Sequence, residues 1–242
     1  MICHTSKGMW SISDTLATWD EWDMQWYQCD IRGVSVEDYE KYFYLMSEEK
    51  QQRIRRFRSV KDRKRSIAGE MLARRAISDW CAVAEENIIF DTNQYGKPFA
   101  AGLPIEFSIS HSGNLAVCAV DHYPVGIDIE RIRPVDFRIA RHIFTQKELV
   151  YLFQHVPQES DFAQAPDEMT TIRFFELWTA KEAWCKCYGV GLAALGGIKK
   201  CPPKSTVIKR IHKHYVLSLC GASNQIQKNS FGEGVERGVR NI

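Results

Sequence analysis

A short internal repeat constrains the fold of this 242-residue chain more than any other feature. Residues 66–74 read S-I-A-G-E-M-L-A-R and residues 178–186 read W-T-A-K-E-A-W-C-K, and both lie in stretches with helical periodicity. Alanine, glutamate and a cation occupy the same offsets in the two segments, which carry Glu70 and Glu182 at the matching position. Strand-like segments follow each helix, so the sequence predicts two related lobes.

The order of the elements predicts the fold class. We expect an α/β (α+β) fold of two similar lobes related by a pseudo-twofold axis, each a small, mainly antiparallel sheet with a long packing helix. The predicted N-terminal lobe spans residues 1–104, and the predicted C-terminal lobe spans residues 105–220. Residues 221–242 are rich in glycine and asparagine and are predicted to form a loosely ordered tail.

Hydrophobic patterning predicts the individual elements. Helical stretches are predicted over residues 35–57, with a second helix starting near Met46, and over 61–84, 137–153 and 171–188. Apolar or alternating runs predict strands, in chain order: at least one within residues 10–31, then N-I-I-F-D, I-E-F-S-I-S, L-A-V-C-A-V, V-G-I-D-I-E and H-Y-V-L-S-L-C. The sequence therefore predicts a single strand near its C-terminal end.

Charge and cysteine usage indicate the compartment. The net charge is +2, and the eight cysteines include no C-x-x-C pair and no spacing typical of zinc. The N-terminal residues carry no apolar signal-peptide core, and no apolar run approaches the length of a membrane span. We therefore expect a cytoplasmic protein with reduced thiols and no membrane partner.

The segment spanning residues 50–75 is strongly basic. It carries eleven lysines and arginines against two acids, Asp62 and Glu70. Such a density of cations indicates an anionic ligand: a phosphate, a nucleic acid or an acidic protein face. A solvated helix face explains only some of these charges.

The segment V-G-I-D-I-E, residues 125–130, alternates acids with isoleucines. As a strand it would direct Ile127 and Ile129 inward and Asp128 and Glu130 outward, with the two acids about 6.5–7 Å apart at their Cα atoms. Two interpretations stay open on these residues alone: a solvated strand edge, or two carboxylates that bind one hard cation.

A third carboxylate favours the cation. Glu182 and Lys186 share one face of the second long helix, and Phe175 and Trp178 on that face indicate that it packs against something. Three carboxylates without a histidine–cysteine cluster are typical of Mg²⁺, with Mn²⁺ as the alternative, and leave positions open for phosphate oxygens. A metal ion beside several basic side chains is typical of sites that catalyse phosphoryl transfer.

The blocks F-S-I-S-H-S-G, V-G-I-D-I-E and L-W-T-A-K-E-A-W-C-K resemble the signature of the 4'-phosphopantetheinyl transferases. Upstream, M-S-E-E-K-Q-Q-R-I-R-R-F, D-R-K-R-S-I-A-G-E and Y-G-K-P-F extend the resemblance over roughly residues 45–190. The length is similar to the larger, surfactin-synthetase-activator type, which implies a monomer of two similar lobes.

The resemblance implies roles for particular residues. Asp128, Glu130 and Glu182 would hold Mg²⁺ against the pyrophosphate of coenzyme A, and Glu182, Lys186 and His111 would be catalytic. The remaining contacts to coenzyme A would come from both halves of the chain: Lys50, Arg53, Ser66, Gly96, Lys97, Pro98, Ser110, His111, Lys181 and Lys186. The acceptor would be a serine of an apo carrier-protein domain of a fatty-acid, polyketide or nonribosomal peptide synthase, and 3',5'-ADP would be released.

Two rival functions belong to other classes. A nucleic-acid-binding protein would use the basic segment and the seven tryptophans on a phosphate backbone, but the three carboxylates would repel that ligand. A coenzyme A-binding regulator without turnover would bind the nucleotide with the same residues. The resemblance favours the enzyme, without a nucleic-acid partner.

Overall fold

The computed structural model describes residues 11–12, 24–163, 167–189 and 206–221. The tail predicted over residues 221–242 lies outside this range except for Gly221. Six helices are described: α1 (Val36–Tyr44), α2 (Glu48–Arg56), α3 (Val60–Cys81), α4 (Ala140–Ile143), α5 (Gln146–Phe153) and α6 (Glu168–Tyr188). Nine strands are described: β1 (Ser11–Ile12), β2 (Gln25–Asp30), β3 (Phe90–Thr92), β4 (Pro98–Ala100), β5 (Glu106–Ser112), β6 (Leu115–Asp121), β7 (Val125–Arg131), β8 (Thr206–Ile211) and β9 (Tyr215–Gly221).

Three of the helices begin directly after residues whose side chains cap them. The side chains of Ser35, Ser47 and Asp167 accept hydrogen bonds from the first turns of α1, α2 and α6. The single helix predicted over residues 137–153 is wrong. Phe144 is extended, and Thr145 starts a new helix by forming a capping box with Glu148.

The first sheet has the strand order β1-β2-β6-β5, and all its pairs are antiparallel. Helix α3 covers it, and Ile67, Met71 and Ile77 of that helix form one core with Phe107 of β5 and Cys118 of β6. Strands β5 and β6 therefore belong with the N-terminal elements. This pairing argues for a boundary between the lobes close to residues 122–124 instead of the predicted 104/105.

The second sheet has the strand order β7-β9-β8, again antiparallel, and packs against α6. A separate hairpin joins β3 to β4. The structure adds β8 to the single C-terminal strand that the sequence predicts. The turn between β8 and β9 has positive φ at His212 (49°) and Lys213 (61°), and it lacks the Asn-Gly type of signal by which such hairpins are recognised in a sequence.

The structure therefore has a mixed α/β fold with small antiparallel sheets and packing helices, as the sequence predicts. Among the described residues, no helix is both long and apolar enough to cross a membrane. The six described cysteines are free thiols: Cys29, Cys81, Cys118, Cys185, Cys187 and Cys220.

Helix α6 approaches β7 most closely at Gly126. A Cβ atom at this position would overlap with backbone atoms of Ala183 and Cys187, which cannot move without displacing the helix. We expect Gly126→Ala to lower the free energy of unfolding by about 1–3 kcal/mol or more, measured by urea denaturation. Gly69→Ala in α3 is the control, because its new methyl group would meet a side-chain atom of Ile109 instead of backbone. Equal losses for the two variants would contradict this explanation.

Candidate active site

A cleft of about 420 Å³ lies between the two sheets and their long helices. Its lining includes ten of the residues that the sequence predicts for the site: Lys50, Arg53, Ser66, Pro98, Ser110, His111, Asp128, Glu130, Glu182 and Lys186. These residues come from both halves of the chain. The convergence of groups up to 136 positions apart, from Lys50 to Lys186, could not be assumed from the sequence.

Asp128 is more buried than the sequence predicts. Only 5% of the residue is exposed, so it is not an outward-facing acid on a solvated strand. Its Oδ1 atom accepts a hydrogen bond from Ser110 Oγ at 2.7 Å and contacts Lys186 Nζ at 2.6 Å. Its Oδ2 atom is buried and has no hydrogen-bond partner among the described residues.

Glu130 and Glu182 also line the cleft and are half-buried. Glu130 Oε2 accepts hydrogen bonds from Ser112 Oγ at 2.7 Å and Arg133 Nη1 at 2.9 Å. Within the described ranges, no three acidic, histidine or cysteine side chains are grouped closely enough to enclose a metal ion. The shared metal site of Asp128, Glu130 and Glu182 therefore stays a prediction.

Negative charge is unfavourable at Asp128 and Glu182. Burial raises the pKa of Asp128, against Lys186 and Ser110, which lower it. Burial also raises the pKa of Glu182 to about 7, together with the charges of Asp128 and Glu130, and Lys186 partly offsets them. A divalent cation would stabilise the ionised forms, and the free Oδ2 atom of Asp128 is a suitable ligand. The donor set therefore fits a hard cation such as Mg²⁺.

The opposite wall of the cleft is basic. Lys50 Nζ lies 2.5 Å from Glu70 Oε2, and Arg74 Nε lies 2.8 Å from Glu70 Oε1. Glu70 is 1% exposed and Arg74 3% exposed, so both are internal supports for the wall. Arg53 is exposed at the end of α2, and Arg65 is held by Asp62 and the carbonyl oxygen of Gly113.

His111 follows Ser110 near the end of β5 and lines the cleft. Desolvation lowers the pKa of its imidazole, and the positive charges of Lys186 and Arg65 act in the same direction. Lys186 and Arg65 thus place positive charge near this imidazole, which favours a bound anion.

The structure places Lys181 outside the cleft, which corrects its predicted role. Lys181 is fully buried, and its Nζ lies 2.8 Å from Glu148 Oε1 of α5. Positions 181 and 186 are five residues apart, about 140° around a helix, so the two lysines lie on different faces of α6. Lys181 therefore connects two helices within the C-terminal lobe.

Of the predicted loop residues 96–98, only Pro98 lines the cleft. Lys97 Nζ contacts Glu106 Oε2 at 3.0 Å and donates to the carbonyl oxygen of Cys187 at 3.1 Å. Gly96 has a φ of 84°, which suits its turn. Lys97 thus attaches this loop to the end of α6.

Several lining residues were not predicted as site residues. They are Arg65, Gly69, Glu70, Ile109 and Trp178. A signal for two of them existed, because Glu70 lies one helical turn after Ser66 and Trp178 one turn before Glu182. Ser112 and Arg133, which hold Glu130, gave no comparable signal.

Comparison with known proteins assigns the family. The profile described as "4'-phosphopantetheinyl transferase, N-terminal" matches residues 34–123, and that of the "4'-phosphopantetheinyl transferase superfamily" matches residues 124–232. The two matches meet close to the boundary indicated by strand pairing. The chain belongs to the 4'-phosphopantetheinyl transferase superfamily and is of the Sfp type, which confirms the resemblance seen in the sequence.

Individual relatives are similar over part of their length. The chain is 43% identical over 147 residues to 4'-phosphopantetheinyl transferase gsp of Aneurinibacillus migulanus, covering 61% of this chain and 57% of that protein. It is 37% identical over 163 residues to Sfp of Bacillus subtilis, covering 67% and 68%. It is 32% identical over 162 residues to HetI of Nostoc, covering 64% of each. The alignments thus span between 57% and 68% of these relatives.

Proposed function

We propose that this protein transfers the 4'-phosphopantetheine arm of coenzyme A to a serine of apo carrier-protein domains. The observation that supports this most strongly is the cleft, which combines Asp128, Glu130 and Glu182 with Lys50, Arg53 and Lys186. Carboxylates and cations facing one another suit a ligand that is itself a polyphosphate with a metal ion.

The reaction needs a base and a group that stabilises the leaving phosphate. The serine oxygen of the carrier forms a bond to the phosphorus that bears the pantetheine arm, and the bond from this phosphorus to 3',5'-ADP breaks. Glu182, which lines the cleft beside Lys186, would take the proton of the serine hydroxyl. Lys186 stabilises the charge that develops on the phosphoryl oxygens and the departing 3',5'-ADP.

The other predicted residues orient the nucleotide. Lys50, Arg53 and Ser66 face the cleft from α2 and α3, and His111 faces it from β5, so these four groups would hold the phosphates. Asp128, Glu130 and Glu182 would hold Mg²⁺. When bound, the ion would neutralise pyrophosphate oxygens and make the phosphorus more electrophilic.

We also propose that the two lobes are related by a pseudo-twofold axis and that the protein is a monomer. Glu70 of α3 and Glu182 of α6 both line the cleft, which supports lobes related by a pseudo-twofold axis. Because the residues of one chain contribute to both walls of the cleft, the protein is expected to act as a monomer with carrier-protein domains as its partners.

The test is incubation with coenzyme A, Mg²⁺ and a panel of apo carrier proteins, followed by intact-mass spectrometry. A mass increase of one phosphopantetheine arm on a carrier serine is the expected result. A protein that binds coenzyme A but modifies no carrier in a broad panel would be a regulator. Binding of oligonucleotides in preference to coenzyme A would support the nucleic-acid-binding alternative.

His111→Ala is expected to weaken binding of coenzyme A by about tenfold, the usual value of a hydrogen bond to a charged group. If His111 contacts the 3'-phosphate, binding of dephospho-coenzyme A, which lacks this group, is expected to change less. Isothermal titration calorimetry with both ligands measures the difference. The control is His142→Ala, which alters an exposed histidine outside the cleft. Equal losses for the two ligands would assign His111 to the pyrophosphate or remove it from the site.

A further inference from the structure

The two sheets meet edge to edge through serine side chains. Strand β5 is the last strand of the first sheet, β7 is the first strand of the second, and no backbone pairing joins these two described strands. Instead, Ser108 Oγ accepts a hydrogen bond from the amide of Ile127 at 3.1 Å. Ser110 Oγ accepts one from Ile129 at 3.3 Å, and Ser112 Oγ accepts one from Arg131 at 3.0 Å.

These three hydrogen bonds form a regular ladder, with each serine bonded to the residue nineteen positions later. Alternate residues of a strand face one side, so the ladder fixes the register of β7 relative to β5. Ser108 is 4% exposed and Ser110 is 7% exposed, so the ladder lies largely inside the protein.

Two members of the ladder also bind the carboxylates of the cleft. Ser110 donates its proton to Asp128 Oδ1, and Ser112 donates its proton to Glu130 Oε2, both at 2.7 Å. Ser108 has no acid to bind, because the corresponding position of β7 is Gly126. A hydroxyl has one proton, so the Ser110 hydroxyl that binds Asp128 has none left to donate to a phosphate.

We propose that Ser110 and Ser112 are positioning residues that orient Asp128 and Glu130 toward the metal ion. Each hydroxyl donates to one oxygen of its carboxylate, Asp128 Oδ1 or Glu130 Oε2, and leaves the second oxygen available to a cation. Because the same two hydroxyls accept hydrogen bonds from amides of β7, the position of both acids depends on the position of β5. This inference rests on the proposed function, and it replaces the predicted role of Ser110 as a direct ligand of coenzyme A. Groups that orient metal ligands commonly change metal affinity by 10- to 100-fold when they are removed.

Ser108 offers a matched control. Ser108→Ala removes the same kind of hydrogen bond to a β7 amide as Ser112→Ala, but only the latter also releases a carboxylate. A purely structural ladder would make the two variants alike. Ser112→Thr keeps the hydroxyl and is expected to retain the metal affinity that Ser112→Ala loses.

The experiment measures Mn²⁺ binding in the presence of coenzyme A, without carrier protein, by electron paramagnetic resonance of free Mn²⁺. We expect Ser112→Ala to raise the dissociation constant about tenfold, Ser108→Ala to change it less than about twofold and Ser112→Thr to stay near the wild type. Urea unfolding of the alanine variants shows whether both remain folded. Equal dissociation constants for Ser108→Ala and Ser112→Ala would overturn the proposal.

The outcome is separable from that of the proposed function. A wild-type protein that binds Mn²⁺ with coenzyme A, shows the expected order of variants and modifies no carrier would contradict the transferase activity alone. A wild-type protein that modifies carriers while Ser112→Ala binds Mn²⁺ normally would contradict the positioning role alone.

Discussion

Glu182→Gln is expected to lower the rate of carrier modification by about 10³-fold, within the range usual for loss of a general base. Glutamine has the shape of glutamate but cannot accept the serine proton. Glu182 is half-buried and lines the cleft together with Asp128, Glu130 and Lys186, so it is placed to accept this proton. The rate is measured under single-turnover conditions with saturating coenzyme A, so that weaker binding does not contribute.

Asp128→Ala provides the comparison for the two roles of Glu182. Loss of one acidic ligand weakens metal binding, so raising the Mg²⁺ concentration is expected to restore part of the rate of Asp128→Ala. The same increase is expected to leave Glu182→Gln inactive, since a missing base is not replaced by more metal ion. Recovery of both variants would make Glu182 a ligand only. Near-normal rates for both would return the carboxylates to a structural role.

Lys181→Met is expected to lower the free energy of unfolding by about 3–5 kcal/mol, the usual effect of leaving one member of a buried ion pair alone. Glu148 would then lie buried without the cation that contacts its Oε1 atom at 2.8 Å. Urea denaturation measures this loss. Coenzyme A affinity of the folded protein is expected to be unchanged, because Lys181 does not line the cleft.

Lys186→Met is the matched variant, with the same change of side chain five residues along α6. Lys186 is half-buried in the cleft and contacts the buried Asp128 at 2.6 Å, so its loss is expected to reduce both turnover and stability, whereas Lys181→Met reduces stability alone. The pair therefore separates a structural lysine from a catalytic one. A stable Lys181→Met protein with impaired coenzyme A binding would restore the role that the sequence predicts for Lys181.

Local patterns predicted the elements that carry the site. The helices predicted over 61–84 and 171–188 correspond to α3 over Val60–Cys81 and α6 over Glu168–Tyr188. Their apolar periodicity is a property of a short segment, so a single sequence contains it. The alternation of isoleucines and acids in β7 is likewise contained in a short segment of the sequence.

Long-range pairing was the part that the sequence could not supply. The sequence predicts β5 and β6 as part of the C-terminal lobe because the pattern changes to a run of strands at Ile105, whereas β6 pairs with β2, about ninety residues earlier. The burial of Asp128 depends on Ser110 and on α6, neither of which is a neighbour in the sequence. Lys181 and Lys186 are both cations of one helix, and the sequence does not show that Lys181 is fully buried against Glu148.

The activity proposed for this cleft is the transfer of phosphopantetheine from coenzyme A to a carrier serine with release of 3',5'-ADP. The most direct measurement quantifies both products in one reaction, with holo-carrier determined by intact mass and 3',5'-ADP by chromatography. We expect equal amounts of the two products from the wild type, and neither from Glu182→Gln on the same timescale. Release of 3',5'-ADP without carrier modification, or no product from wild-type protein with any carrier in the panel, would contradict this activity.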